Sequence, residues 1–459
     1  MVSTTLIHRN VKWLKFLPYY RRNLKLAFPI IFAQLGQVSV ALTDTLMVGR
    51  LGTVELAAVA FANSVFALFF IFGLGFSLGL TPLVGNAYGK RQFQKAGVLF
   101  QNALLINIIV AIVLFLLIWN LGFLMFKLNQ PQAVVEMAMP YFNMTALSLI
   151  PISIFFSCRQ FGEGIGNTKI SMWITLAANA VNIFFNYCLI YGKCGFPELG
   201  VVGAGMATVI ARSFMAVAFI IVVLKHPVYN IYLKYFTWEN FKKSYIFRLV
   251  KTGVPISGQL VVEVLAFSLS AIMIGWLNEV SLAAHQIVLQ LASATFMMAI
   301  GVASATTIRI SHQFGAKHYK AVQFASIAAM HIVIVFMLFT ALLFVLFRYQ
   351  IPALFTTDTQ VIAIAAQLLI VAAVFQLFDG LQIVGLAVLR GLADVTFAMW
   401  AAFISYLGLC LPMGYMFGFV CGFGAVGVWI GLALGLACAG VIYRYRFVRY
   451  MKTKIPIKP

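Results

Sequence analysis

Apolar residues in this chain fall in blocks of about 20 or more, separated by short polar breaks. A helix needs about that many to cross the hydrocarbon layer of a bilayer, so each block predicts a membrane span. Twelve are legible, near residues 26–48, 56–88, 96–117, 134–156, 170–191, 201–224, 249–277, 283–308, 322–347, 361–389, 397–419 and 426–443. The longest polar interruption, 225–251, carries Pro227, Trp238, Glu239 and six Lys or Arg. It is too short for a soluble insertion and divides the chain into a half of residues 1–235, with a cytoplasmic linker from about 225, and a half of residues 236–459.

The two halves repeat one another. A shift of 226 residues aligns Pro29-Ile30 with Pro255-Ile256, Met47-x-Gly49-x-Leu51 with Met273-x-Gly275-x-Leu277, and Leu56-Ala57-Ala58 with Leu282-Ala283-Ala284. Without a gap it also pairs Phe70, Gly75, Thr81 and Gly89 with Phe296, Gly301, Thr307 and Gly315. At nearly the same offset Gly164 matches Gly391. An even number of spans in each half makes the copies parallel, related by an axis along the membrane normal.

Composition agrees with a membrane chain. Of 459 residues 63% are hydrophobic and 9% charged, which cannot clothe a water-soluble surface. The net charge of +21 would suggest nucleic acid in a soluble protein, yet the basic residues lie between apolar blocks. Of 32 Lys and Arg, 27 fall before the first span, in even-numbered loops or in the C-terminal tail, and only Arg50, Lys127, Lys193 and Arg348 in odd-numbered loops. The positive-inside rule therefore places both termini in the cytoplasm. The basic N-terminus leads into a full-length span without a small-residue cleavage site, as a retained first helix does. Arg212 falls inside the sixth span. Six scattered cysteines read as core thiols, and no metal or catalytic motif (CxxC, HExxH, DxD) is present.

A carboxylate near the middle of a span costs about 2.5–3.5 kcal/mol on insertion scales, so each one needs a reason. Of eleven acids, three sit well inside spans: Asp44, Glu263 and Asp379. Asp44 follows Gln37 by seven residues, nearly the same helix face. The fifth span adds Asn179, Asn182 and Asn186 at spacings of three and four, and the sixth adds Thr208. One carboxylate with amide and hydroxyl oxygens suits a hard cation such as Na⁺, whereas a proton needs only Asp44. Gln376, Asp379 and Gln382 share a face of the tenth span and, with Glu263, suggest a second cation or substrate site. The alternative is local hydrogen bonding that only stabilises packing. The 43 phenylalanines and 18 methionines fit either lipid-facing filler or an adaptable lining for flat cations.

At these residues the sequence resembles the multidrug and toxic compound extrusion (MATE) family, in its bacterial NorM-type branch. The likeness runs nearly the full chain and is carried by Leu26-Ala27-x-Pro29, Gln34 and Gln37, Asp44-Thr45-x-Met47-Val48-Gly49, Asn182-x-x-x-Asn186-Tyr187, Gly203-x-Gly205-x-Ala207-Thr208, Ala283-Ala284-His285-Gln286, and Gln376-x-x-Asp379-x-x-Gln382 leading to Leu389-Arg390-Gly391. It implies an all-α polytopic membrane protein with twelve transmembrane helices in two pseudo-symmetric six-helix lobes facing each other in a V. It further implies a non-enzymatic, monomeric efflux transporter of the inner or plasma membrane, which exports cationic or amphiphilic drugs in exchange for Na⁺ or H⁺, with no cofactor, no resident metal and no nucleic-acid partner. By position, Asp44 with Asn182, Asn186 and Thr208 resembles the family's first-lobe cation site, and Glu263 and Asp379 the acidic pair of the second lobe; Gln37, Gln376 and Gln382 are candidate substrate or cavity residues from the faces they share. The DinF-type branch carries Asp where this chain has Asn186, so a proton mechanism needing two carboxylates there is unavailable, which favours Na⁺. A lipid-linked precursor flippase of the same superfamily would need several cations inside the bundle, and only Arg212 falls clearly within a predicted span. A membrane-embedded enzyme would need a catalytic motif.

Overall fold

The computed structural model describes residues 16–127 and 130–454. The remaining residues, His8 and much of the basic N-terminus among them, lie outside the described part. Among the described residues there is helix and connecting segment but no strand. Among the described residues twelve helices are long and apolar enough to span a membrane: α1 Leu17–Gly49, α2 Thr53–Gly89, α3 Phe93–Lys127, α4 Gln132–Gly164, α5 Lys169–Tyr191, α6 Gly200–Lys225, α7 Lys243–Gly275, α8 Glu279–Gly315, α9 Tyr319–Leu346, α10 Thr359–Gly391, α11 Val395–Val420 and α12 Gly424–Thr453. The chain is thus a multi-pass membrane protein. Single-residue interruptions at Gly79 and Ser148 divide α2 and α4. In α11, Ile404–Cys410 and Met416–Val420 are wound as π-helix.

The helices run several residues past the predicted spans, and this corrects one reading. Arg159, Arg309 and Arg390, counted as loop charges, belong to α4, α8 and α10, so Arg212 is not the only arginine inside a span. A hydropathy scan stops at the first charge, whereas the backbone goes on making i→i−4 bonds wherever a guanidinium finds partners. Arg159 pairs with Glu163 at 2.7 Å, and Arg309 donates to the Tyr19 carbonyl at 2.9 Å and to Asn23 Oδ1 at 2.7 Å. The core-thiol reading holds for Cys158, Cys188 and Cys410, while Cys194 and Cys421 are exposed.

The chain folds as two compact units. Unit N is Phe32–Gly258; unit C joins the residues up to Ile31 with those from Gln259 onward. Both boundaries fall inside continuous helices, α1 and α7, rather than in the linker. In unit N, α4 packs against α2, α3 and α6, and α5 against α6; in unit C the equivalent of α4, α10, packs against α8, α9 and α12. The linker is tied to unit N: Gln101 and Asn102 of α3 donate to the Thr237 and Asn240 carbonyls, each at 2.8 Å. Tyr229 and Tyr232 are buried there, and burial pushes the Tyr232 phenol up to about 12.

Contacts inside each unit reproduce the repeat. Thr81 Oγ1 donates to the Gln160 carbonyl at 3.3 Å, and Thr307 Oγ1 to that of Ala387 at 3.0 Å. Gly164 lies against Val84 and Gly391 against Ile310, the equivalent residue. Gly75 faces Ser257 as Gly301 faces Ile31, so the first half of α7 lies on α2 in unit N and the first half of α1 on α8 in unit C. A Cβ on Gly75 would stand 2.6 Å from the Ser257 Cα, a backbone atom that cannot swing aside. Gly75→Ala is therefore expected to destabilise the protein by about 1–3 kcal/mol, the usual cost of overpacking. Thermal unfolding in detergent checks this, and an unshifted midpoint would show that α7 does not seat on α2 this closely.

Candidate functional site

The second half of α1 is unusually polar for a membrane helix. Ser39, Thr43 and Thr45 return their hydroxyls to the carbonyls of Leu35, Ser39 and Ala41, which satisfies them in lipid and loosens the local backbone. This stretch is thus a weak helix carrying a carboxylate, and Pro29 removes a further backbone donor in the first half of α1. Asp44 is half-buried, and its hydrogen-bond donor is Asn186 Nδ2 at 2.5 Å. The same amide nitrogen donates to Asn182 Oδ1 at 3.0 Å. Asn182 and Asn186 lie one turn apart on one face of α5, and Asn186 is the member that bonds Asp44.

As oriented, the Asn186 amide turns its hydrogens to Asp44 and Asn182, and its own Oδ1 is buried without a partner. A cation beside Asp44 would want lone pairs rather than hydrogens. Half a turn of this amide would exchange the two, leaving a carboxylate and two amide oxygens as donors.

The other predicted members make no hydrogen bond to Asp44. Thr208 Oγ1 donates to the Ala204 carbonyl of its own helix at 3.1 Å and makes no hydrogen bond to Asp44. Gln37 is exposed, two turns before Asp44. Asn179 packs against α1 at Gly36, where its Nδ2 would be 2.7 Å from an added Cβ.

Unit C holds the other two acids. Glu263 on α7 is buried and accepts from Gln259 Nε2 at 2.7 Å, and Arg390 Nη2 on α10 donates to Gln259 Oε1. Glu263 is thus linked to a guanidinium through one amide. Asp379 is buried on α10, with no hydrogen-bond partner among the described residues, and lies within electrostatic reach of Glu263. Two carboxylates in one dry environment repel each other, and an entering cation relieves that repulsion. Gln376 accepts from Thr340 Oγ1 at 3.0 Å and leaves its Nε2 buried without a partner, while Gln382 is fully buried beside Tyr443.

Sequence reasoning missed Gln259 and the part played by Arg390. The signal for Gln259 was its place four residues before Glu263, the same helix face. His285 and His331 have ring partners: Trp429 Nε1 donates to His285 Nδ1 at 3.1 Å, and Tyr20 Oη lies 2.8 Å from His331 Nδ1.

Against this geometry, comparison with known proteins gives a consistent result. The MatE family model matches residues 29–188 and 255–416, two stretches that begin 226 residues apart, the offset of the internal repeat. The chain is similar to a probable multidrug resistance protein NorM of Rhizobium meliloti, 32% identical over 445 residues that cover 95% of this chain and 94% of that protein. It is also similar to the multidrug resistance protein NorM of Photobacterium profundum, 30% identical over 430 residues covering 93% and 94%. Among solved structures, the fold is similar to that of a eukaryotic MATE transporter, AtDTX14, with a TM-score of 0.86 at 18% identity over 96% of this chain and 98% of the other. The Vibrio cholerae MATE transporter VcmN in its bent form gives a TM-score of 0.85 at 17% identity, over 96% and 98%.

Proposed function

We propose, from the premise that this chain belongs to the MATE family of multidrug efflux transporters, that it exports organic cations and cationic amphiphilic drugs across the plasma membrane in exchange for Na⁺, with both termini in the cytoplasm. Members of the family are transporters, not enzymes. The observation that carries the proposal is that Asp44, Glu263 and Asp379 stand on membrane-spanning helices and none has an ion-pair partner within 4.0 Å among the described residues. A carboxylate retained in that setting without a direct ion pair is suited to a mobile counter-ion. Asn186 favours Na⁺ over H⁺ because it offers an amide oxygen to a metal ion but no second carboxylate to share a proton load.

In this mechanism Na⁺ neutralises Asp44, and α1, weakened by Pro29 in its first half and by Gly36 and hydroxyl back-bonds in its second, repacks and expels the drug. Loss of the ion to the cytoplasm restores the negative charge, which draws in the next cationic substrate. Coupling requires only that ion and drug compete for one charge or prefer different conformers. The flippase alternative is disfavoured: Arg159, Arg309 and Arg390 do lie within helices, but each is engaged by protein partners rather than held for a pyrophosphate.

Ethidium efflux from proteoliposomes, with Na⁺ and H⁺ gradients imposed separately, tests the proposal. Efflux is expected to follow the inward Na⁺ gradient and to collapse when that gradient is dissipated. Efflux driven by the H⁺ gradient alone would replace the ion, and a dye unmoved by either gradient would remove the proposal.

A further inference from the structure

Arg212 has no acidic neighbour in the sequence, and the structure gives it an unusual set of partners. It lies on α6 one turn beyond Thr208, and its Nη1 donates to Ser148 Oγ at 2.5 Å. Ser148 is fully buried at the interruption of α4 and itself donates to the Thr145 carbonyl at 2.5 Å, so the hydroxyl is a fixed anchor. The guanidinium carbon stands 5.3 Å from the ring centre of Phe66 and 5.1 Å from that of Phe70, both on α2. A hydroxyl and two aromatic faces hold a cation in place without cancelling its charge.

Arg159 and Arg446 show the contrast, since each closes an ion pair at 2.7 Å. Arg212 makes none within 4.0 Å among the described residues, yet it lies within electrostatic reach of Asp44. The other titratable group in reach of that carboxylate is Tyr141, whose hydroxyl donates to Asn63 Oδ1 at 3.1 Å. Arg212 is therefore the one fixed cation in this surrounding among the described residues. Burying an arginine in a span is costly, and its retention at this place calls for a use beyond packing.

We infer that Arg212 is a built-in competitor for the ion at Asp44: a tethered positive charge that steadies the ionised carboxylate before the ion arrives, opposes the ion once it is bound, and so keeps binding weak enough for release on every cycle. This rests on the reading of Asp44 as the coupling site. Without such a charge, Asp44 and the asparagines would hold the ion more tightly and turn over more slowly. The Ser148 anchor and the Phe66–Phe70 faces matter because they keep the guanidinium from collapsing onto Asp44 as a permanent pair, which would shut out ion and drug alike. Arg212 is in these terms a positioning residue.

The test measures ethidium efflux by the full chain in proteoliposomes as a function of the concentration of the driving ion, Na⁺ or H⁺. Arg212→Gln is expected to lower the half-saturating ion concentration by about tenfold, the effect of removing one nearby charge at intermediate effective dielectric, and to lower the maximal rate. Arg212→Lys, which keeps the charge, is expected to return half-saturation to within about threefold of the parent. Ser148→Ala frees the guanidinium to approach Asp44 and is expected to move half-saturation the other way, upward. A merely structural arginine would alter the amount of folded protein but not the ion dependence, and lysine would not rescue it. Unchanged half-saturation in Arg212→Gln, or a lysine variant that behaves like the glutamine one, overturns the inference. If Arg212→Gln does not fold, Ser148→Ala decides, and half-saturation that stays put or falls overturns it. Asp44→Asn separates the two readings: efflux that persists in that variant removes the coupling-site reading itself, whereas loss of efflux there together with an unaltered Arg212→Gln removes only the role of Arg212.

Discussion

Asp44→Asn is expected to reduce ethidium efflux to the background of protein-free liposomes while leaving the amount of inserted, folded protein near that of the parent. The amide can still receive the Asn186 hydrogen bond through its oxygen, so α1 keeps its contact with α5. What is lost is the change of charge. A neutral side chain can neither be cancelled by an arriving ion nor attract the next cationic substrate, so both halves of the cycle stop. Fold survival is expected because a neutral amide is cheaper in lipid than a carboxylate. Gradient-driven efflux that survives the substitution at more than about a tenth of the parental rate, on the scale of coupling free energies of 1–3 kcal/mol, would move the coupling role to unit C.

The second large effect is expected on stability. Arg390→Met removes the guanidinium that faces Glu263 through Gln259 and strands a buried carboxylate without compensation. Breaking a buried charge partnership from one side costs about 3–5 kcal/mol, and the relay through an amide puts this case near the lower end. A lower melting midpoint in detergent is the readout. The double variant Glu263→Gln with Arg390→Met should recover much of the loss, because the charge that needed a partner is gone as well. Strictly additive losses in that double-mutant cycle would show that Arg390 stabilises by packing alone.

Much of this was legible beforehand, and the particular failures are informative. Span count, duplication and the three interior acids follow from hydropathy and residue matching, because lipid punishes local violations severely enough to leave a pattern. The shared helix face of Asn182 and Asn186 was also visible, since a spacing of four fixes a face. Spacing fixes a face but not a partner: Thr208 bonds within its own helix, and Gln37 is exposed. Helix ends were underestimated wherever a buried arginine followed the last apolar turn, as at Arg159, Arg309 and Arg390. The unit boundaries inside α1 and α7 depend on contacts such as Arg309 with Asn23 and Gly75 with Ser257, which are far apart in the chain and leave no local mark. The matched glycines Gly75 and Gly301 were in view as repeat landmarks, but their reason, close backbone approach, belongs to tertiary structure.

Because α1 and α7 are continuous helices that begin in one unit and end in the other, a single six-helix copy of this pattern would carry the opening half of its first helix away from the body that follows. Two such copies would have to trade those segments to complete their cores, as swapped homodimers do. Fusion of the copies into one polypeptide makes that exchange intramolecular and free of any dependence on protein concentration, and it lets the two bodies diverge, one keeping a lone aspartate and the other a pair of acids.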